Sequence, residues 1–154
     1  MYAPSLVAHV FFTTLAFGFS IAIDFVLAAV AASRNPQTIL AVFSAVARYG
    51  RFVGPLFGVG ILLGFGLAHE RHDGLAQPWL LATYALVLLA AFLGAGVSRR
   101  RYGRVLAAAR ASGNTVTPQL ESAIAGATPL IGWVMLVLMA ALIAVMFLKP
   151  FSGA

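Results

Sequence analysis

Four polar residues recur at helical spacing within the first long apolar stretch of the sequence, and they are the residues best suited to chemistry. They are His9, Thr13, Ser20 and Asp24. At a rise of 1.5 Å per residue they form a polar stripe about 22 Å long on one helix face. An imidazole can bind a metal or transfer a proton, and a carboxylate can hold a proton or a cation. We expect this stripe to face other protein segments, not lipid.

Asp24 is the only acidic residue within the long apolar stretches. A carboxylate in the hydrocarbon region costs at least about 2.5–3.5 kcal/mol on insertion scales, so Asp24 should be paired, protonated or near water. Arg48 and Arg51 are the basic residues expected within its reach. The sequence predicts a salt bridge that joins the first two membrane helices, with a proton or ligand site as the alternative.

His9 lies near the other end of the stripe, where its ring can hydrogen bond to a carbonyl or supply a nitrogen to haem iron. His69 and His72 are the other histidines of the sequence and follow the second apolar stretch. Either could serve as the second axial ligand of a bis-histidine haem site. With Asp73 they also form a weak metal-binding pattern, from which we predict no metal site.

Four apolar stretches of 17 to 27 residues must position these groups. Each is about long enough to cross a hydrocarbon core roughly 30 Å thick. The composition agrees, because 62% of the residues are hydrophobic and 9% are charged, against about 45–50% and 25% in soluble domains. We predict an all-α integral membrane protein, a four-transmembrane-helix bundle forming one domain over residues 1–154. The stretches cover residues 6–32, 52–68, 78–97 and 123–148.

The basic residues are concentrated in the first and third connections between these stretches. Those two connections hold eight arginines, whereas the second holds only Arg71. Since loops rich in Lys and Arg stay in the cytoplasm, both termini should be external, in what we take to be a bacterial cytoplasmic membrane. The net charge of +6 then meets lipid head groups, which argues against nucleic-acid binding. Cysteine is absent, which excludes disulfides and thiolate chemistry. The eight arginines are Arg34, Arg48, Arg51, Arg99, Arg100, Arg101, Arg104 and Arg110.

The two arginine-rich connections themselves have helical character. Residues 36–47 have helical apolar spacing, so they either extend the second span or lie along the membrane interface. Residues 99–109 are predicted to extend the third span. The chain also contains an apparent internal repeat, because residues 36–58 and 118–132 share Pro-Gln, Ser-Ala-x-Ala and Pro-Leu-x-Gly motifs in the same order. The repeat implies two parallel helix hairpins, with chance similarity as the alternative.

The second apolar stretch is rich in glycine. Gly54 and Gly58, and likewise Gly60 and Gly64, are four residues apart, so each pair clears a face for close approach of another backbone. We expect these faces to be covered by a helix of this bundle or of a partner. The alternative is that they leave room for a flat cofactor or a lipid tail.

Several short motifs resemble a known group of membrane proteins. They are Leu6-Val7-Ala8-His9, the Arg51, Pro55, Gly58 and Gly64 pattern, and Gln77-Pro78-Trp79-Leu80. Over about residues 1–110 they are similar to uncharacterised small integral membrane proteins of the CopD and HemJ-like superfamily. HemJ-type protoporphyrinogen oxidases have a helix-one histidine implicated in haem b binding, and the resemblance assigns that role to His9. The chain departs from that pattern at Asp24 and lacks an intramembrane lysine.

Two functions follow as alternatives. The first is a non-catalytic membrane subunit or assembly partner that acts through helix packing, with lipid and other membrane chains or a second copy as its partners. The second is a haem b-binding redox protein of the HemJ-like type.

Overall fold

The computed structural model describes residues 2–70 and 74–149, and all regular structure in that part of the chain is helical. The helices are α1 (Tyr2–Ala32), α2 (Pro36–Tyr49), α3 (Val53–Glu70), α4 (Pro78–Ala91), α5 (Arg99–Ser112), α6 (Pro118–Ala125) and α7 (Leu130–Leu148). A 3₁₀ turn at Gly50–Phe52 joins α2 to α3, and a π-helical segment at Phe92–Ser98 joins α4 to α5. Four helical stretches are long and apolar enough to cross a membrane, which confirms the predicted bundle. These spans are Ala3–Ala32, Pro36–Glu70, Pro78–Ser112 and Pro118–Leu148.

Capping residues fix where the second and fourth spans begin. The Asn35 side chain accepts hydrogen bonds from the backbone N–H groups of Gln37 and Thr38 at 3.0 and 3.2 Å. Proline then occupies the first turn, where its missing N–H costs nothing. Thr117 caps α6 in the same way and is also followed by proline. The connections 33–35 and 113–117 are therefore tight turns at one end of the bundle.

The second and third spans are longer than a membrane requires. Each has 35 residues, which corresponds to about 50 Å at 1.5 Å per residue, against a hydrocarbon core of about 30 Å. The arginine-rich parts, α2 and α5, are thus continuations of the membrane helices. The structure decides between the two alternatives for residues 36–47 in favour of a helical extension, and it confirms the extension at residues 99–109.

We call the end formed by residues 33–51 and 98–122 the basic end, because it holds all eight arginines of the first and third connections. Its core is a continuous apolar cluster contributed by the end of α1 together with α2, α5 and α6. The buried members are Leu27, Ala31, Ile39, Phe43, Tyr102, Val105, Leu106, Ala109, Leu120 and Ala127.

Helix α1 is central in the membrane part of the bundle. It packs most extensively against α3 and also against α7, and α4 packs against α7. A second apolar cluster fills the middle, with Phe17, Ala90, Ile131, Met135, Leu138 and Leu142 buried. This arrangement turns one face of α1 toward three other spans.

The two halves of the apparent repeat differ in the structure. Helix α2 continues into α3 through the 3₁₀ turn, whereas α6 ends at Ala125 and a short non-helical break at residues 126–129 precedes α7. Both halves begin with a capping residue and a proline. The duplication remains a prediction.

Candidate functional site

The polar stripe of α1 faces protein, as predicted. His9 is 8% exposed and Asp24 is 2% exposed, while Thr13 and Ser20 are partly buried. The two ends of the stripe meet different helices, so they form two distinct sites.

At the first site, His9 is held against α3. Its Nδ1 lies 2.7 Å from the carbonyl oxygen of Gly60. A carbonyl only accepts, so Nδ1 carries a proton, and in the neutral imidazole Nε2 then has the lone pair. The imidazole lies flush with Gly64, where an added Cβ would be 2.9 Å from Cε1 of His9. The close approach of α1 and α3 therefore depends on glycine at this position.

Gly60, one turn before Gly64, allows the same close approach of α3 to α1. A Cβ at Gly60 would lie 2.7 Å from Cγ2 of Thr13 and 3.3 Å from its backbone nitrogen. The Gly60 and Gly64 face is thus covered by a helix of the bundle, as expected.

No helix of this chain covers Gly54 and Gly58, whose Cβ positions have no neighbour within 4 Å among the described residues, so cover of this pair by a partner helix stays a prediction. The reason is rotational, because residues two apart in a helix point about 200° apart at 3.6 residues per turn. Gly58 and Gly60 consequently lie on nearly opposite faces of α3. Helix α1 can cover one pair or the other, but not both.

A cavity of about 230 Å³ lies beside His9, between α1, α3, α4 and α7, at the end opposite the arginines. Its walls are mostly apolar, and five aromatic side chains contribute to them. They are Phe17, Phe57, Phe65, Trp79 and Tyr84. Lys149 also lines the cavity, with its Nζ 4.9 Å from the centre of the Trp79 ring.

Most polar groups of this cavity already have hydrogen-bond partners. The Thr13 hydroxyl donates to the His9 carbonyl at 2.7 Å, and the Thr83 hydroxyl donates to the Trp79 carbonyl at 2.9 Å. The Tyr84 hydroxyl oxygen is buried without a hydrogen-bond partner among residues 2–70 and 74–149. Tyr84, the exposed Thr14 hydroxyl and the second nitrogen of His9 are thus the lining groups without a described hydrogen bond.

The cavity offers a haem little enclosure, because its volume of about 230 Å³ is below the roughly 300–1,000 Å³ of sites for drug-sized ligands. His69 is exposed at the end of α3 and does not line the cavity. His72 and Asp73 lie outside the described residues, within which no group of three metal-binding side chains occurs.

At the second site, Asp24 is bonded to the third span. The Ser98 hydroxyl donates to Oδ1 of Asp24 at 3.0 Å, and the Tyr102 hydroxyl donates to the Asp24 backbone carbonyl at 3.1 Å. Gly132 of α7 packs against the same residue, since a Cβ there would lie 3.3 Å from that of Asp24. Asp24 therefore ties α1 to both the third and the fourth spans.

The predicted salt bridge of Asp24 with Arg48 or Arg51 is wrong. Neither ion pair occurs in the described structure, where both arginines are exposed. Their guanidinium carbons instead lie 5.7 and 5.2 Å from the ring centres of the adjacent residues Tyr49 and Phe52. Both arginine side chains lie on the exposed surface of the bundle. The neutral hydroxyl groups of Ser98 and Tyr102 bond to Asp24 in place of the expected arginines.

The π-helical segment Phe92–Ser98 brings these donors into position. A π turn holds one extra residue, which rotates everything after it relative to a regular helix. Gly94 then packs against Ser20, since a Cβ added at Gly94 would lie 3.6 Å from the Ser20 hydroxyl oxygen. One turn further along, Ser98 contacts Asp24. Sequence reasoning missed Ser98 and Tyr102 because no apolar period signals a π turn. Their spacing of four residues beside an arginine run was the available signal.

Arg101 closes the basic end of this second site. Its Nη2 donates to the carbonyl and hydroxyl oxygens of Thr128, at 2.8 and 3.1 Å. Thr128 lies in the break before α7, so Arg101 fixes the start of that helix.

The comparisons with known proteins bear on the chain as a whole. The family model "Predicted integral membrane protein (DUF2269)" matches residues 6–150. No curated protein and no solved structure matches the chain. These comparisons show no link to the CopD and HemJ-like group.

Proposed function

The chain belongs to the family of predicted integral membrane proteins DUF2269, and we propose that it is a non-catalytic membrane subunit that assembles with another membrane chain or a second copy of itself. The observation that carries the proposal is the uncovered face of α3. Gly54, Gly58 and Gly66 each have open space where a Cβ would be, among the described residues. Together with Leu62, which is 72% exposed, they form a row at intervals of four residues.

Such a row is suited to another helix more than to lipid. A glycine inside a helix is less favourable than alanine by about 1 kcal/mol, so three uncovered glycines need a compensating contact. Helix association in membranes relies on close van der Waals packing, for which small residues clear the way. An opposing helix can contact the bare backbone and close around Leu62, whereas mobile acyl chains gain less from the same surface.

The assembly proposal is tested with Gly58→Leu, which fills the open face without touching α1. Gly18→Leu is the matched control, because Gly18 is also a membrane-span glycine with no described neighbour within 4 Å of its Cβ position. We expect Gly58→Leu to dissociate the assembly seen on size-exclusion chromatography with light scattering in mild detergent. Gly18→Leu should leave it intact, and both variants should keep their helical circular dichroism. A parent protein that is monomeric and carries no second chain would contradict the proposal.

Under this proposal the basic end is cytoplasmic, both termini are external, and the membrane is a bacterial cytoplasmic membrane. Among the described residues, eight arginines lie at the basic end and Lys149 is the only Lys or Arg at the other, which supports that orientation. Reporter fusions after Gly113 should give a cytoplasmic signal and fusions at Ala154 an external one. A cytoplasmic signal at Ala154 would reverse the orientation.

The alternative function is haem b binding, and it draws on the lone pair of His9 Nε2. It has less support, because the cavity is small and His69 lies away from it. Purified protein from haem-replete cells should show no Soret band. A Soret band that His9→Ala abolishes would make haem binding the better proposal.

A further inference from the structure

We propose that the cavity beside His9 binds a small, uncharged, membrane-soluble molecule with a single apolar ring and a ring hydroxyl, of the phenol or quinol class. The cavity is lined by Phe57, Gly64 and Leu67 of α3 and not by Gly54 or Gly58. The proposal is therefore independent of the proposed assembly function.

The size of the cavity limits the ligand. An apolar protein cavity of about 150 Å³ holds benzene, and typical sites for drug-sized ligands begin near 300 Å³. A volume of about 230 Å³ thus suits one substituted ring. A porphyrin or the two chains of a phospholipid would lie only partly within it.

The walls favour a flat ring over a flexible chain. The rings of Phe17 and Phe57 meet edge-to-face with centres 4.9 Å apart, and those of Phe65 and Tyr84 are tilted by 34° with centres 5.4 Å apart. These pairs present both faces and edges of aromatic rings to the space between them. An aromatic guest gains from either geometry in addition to its apolar burial.

The ligand hydroxyl is inferred from two polar groups of the cavity lining that have no described hydrogen-bond partner, the Tyr84 O–H and His9 Nε2. The Tyr84 O–H is a buried donor without a hydrogen-bond partner among the described residues. Such a group carries a desolvation penalty of about 1–3 kcal/mol. His9 Nε2 is an acceptor, because Nδ1 already donates to Gly60. A ligand hydroxyl can accept from Tyr84 or donate to His9, whereas a ketone could only accept. Among residues 2–70 and 74–149 no acidic residue lines the cavity, which leaves a cationic ligand without a counter-ion there.

The two tryptophans of the chain make binding observable. Trp79 lines the cavity, whereas Trp133 does not and instead packs on Phe25 with ring centres 5.1 Å apart. In a Trp133→Phe background, Trp79 is the sole fluorescent indole. The protein in detergent micelles is titrated with 4-propylphenol and, as the probe without a hydroxyl, with propylbenzene.

Tyr84→Phe is the decisive variant, because it removes only an unpartnered hydroxyl and should fold normally. Tyr49→Phe is its matched control, since Tyr49 is exposed at the basic end. We expect saturable quenching of Trp79 by 4-propylphenol that is about 3- to 10-fold weaker in Tyr84→Phe, as for the loss of one hydrogen bond. Propylbenzene should bind both variants equally, and Tyr49→Phe should match the parent. Comparing variants at fixed micelle concentration removes the effect of probe partitioning.

Three results would overturn the proposal. The first is the absence of saturable quenching by either probe. The second is equal 4-propylphenol affinity in the parent and in Tyr84→Phe, which would show that the hydroxyl is not recognised. The third is displacement by decane as effective as by 4-propylphenol, which would identify the cavity as a site for a lipid chain.

Discussion

The two ends of the α1 stripe are built from the same helix face but are packed in opposite ways. At the basic end, Asp24 has a side-chain hydrogen bond to Ser98, a backbone bond to Tyr102 and a close contact with Gly132. At the other end, His9 has one hydrogen bond and an open cavity beside it.

The difference follows from what each group requires. A carboxylate is costly in hydrocarbon unless it is bonded or protonated, so its surroundings must supply donors in a fixed geometry. The continued helices α2 and α5 and the short helix α6 provide the apolar core that holds those donors in place. A neutral imidazole needs only one strong bond, and the bundle tolerates a space next to it. The polar stripe thus has a structural end and an end suited to a ligand.

The largest effect should come from closing the gap between α1 and α3. Gly60→Leu introduces a branched side chain at a position where an added Cβ alone would lie 2.7 Å from Cγ2 of Thr13. Overpacking of this kind costs about 1–3 kcal/mol or more. Gly18→Leu is the control, because Gly18 is an open position of α1 outside the proposed assembly face. We expect SDS titration of the detergent-solubilised protein to show a loss of about 3 kcal/mol for Gly60→Leu and little change for Gly18→Leu. Equal stability would mean that the two helices do not meet at Gly60.

A smaller effect should distinguish the bonded end of the stripe. Ser98→Ala leaves Oδ1 of Asp24 without its donor, and an unsatisfied buried group costs about 1–3 kcal/mol. Ser122→Ala is the control, because Ser122 is exposed and bonds only to its own helix. The same SDS titration should show a loss for Ser98→Ala alone. If both serine variants matched the parent, the Asp24 contact would contribute nothing to the fold.

The smallest expected effect is the difference in free energy of unfolding between two variants that each lose a tyrosine hydroxyl. Tyr102→Phe removes a bonded hydroxyl and should cost about 0.5–1.5 kcal/mol. Tyr84→Phe removes one without a described partner, so the free energy of unfolding should stay equal or rise slightly. Thermal unfolding followed by circular dichroism would measure both in the absence of added ligand. A loss for Tyr84→Phe as large as for Tyr102→Phe would show that its hydroxyl has a partner in the apo protein.

The sequence by itself determined the four spans, the inward-facing stripe and the helical extension of the third span. Each depends on a local quantity, namely the length of an apolar stretch, the helical period or the run of polar residues. Such quantities are the same in every tertiary arrangement of the helices. The Gly60 and Gly64 contact could also be predicted, because two small residues one turn apart allow close approach on any helix.

Only the tertiary structure decided which groups meet. Charge alone pointed Asp24 to Arg48 and Arg51, but the π turn at Phe92–Ser98 rotates Ser98 and Tyr102 toward Asp24 instead. The choice between the two glycine pairs likewise depends on which face of α3 meets α1. The cavity and the unpartnered Tyr84 hydroxyl come from four helices that do not fill the space between them. Such features depend on how helices are rotated and spaced against one another, which no single stretch of the sequence encodes.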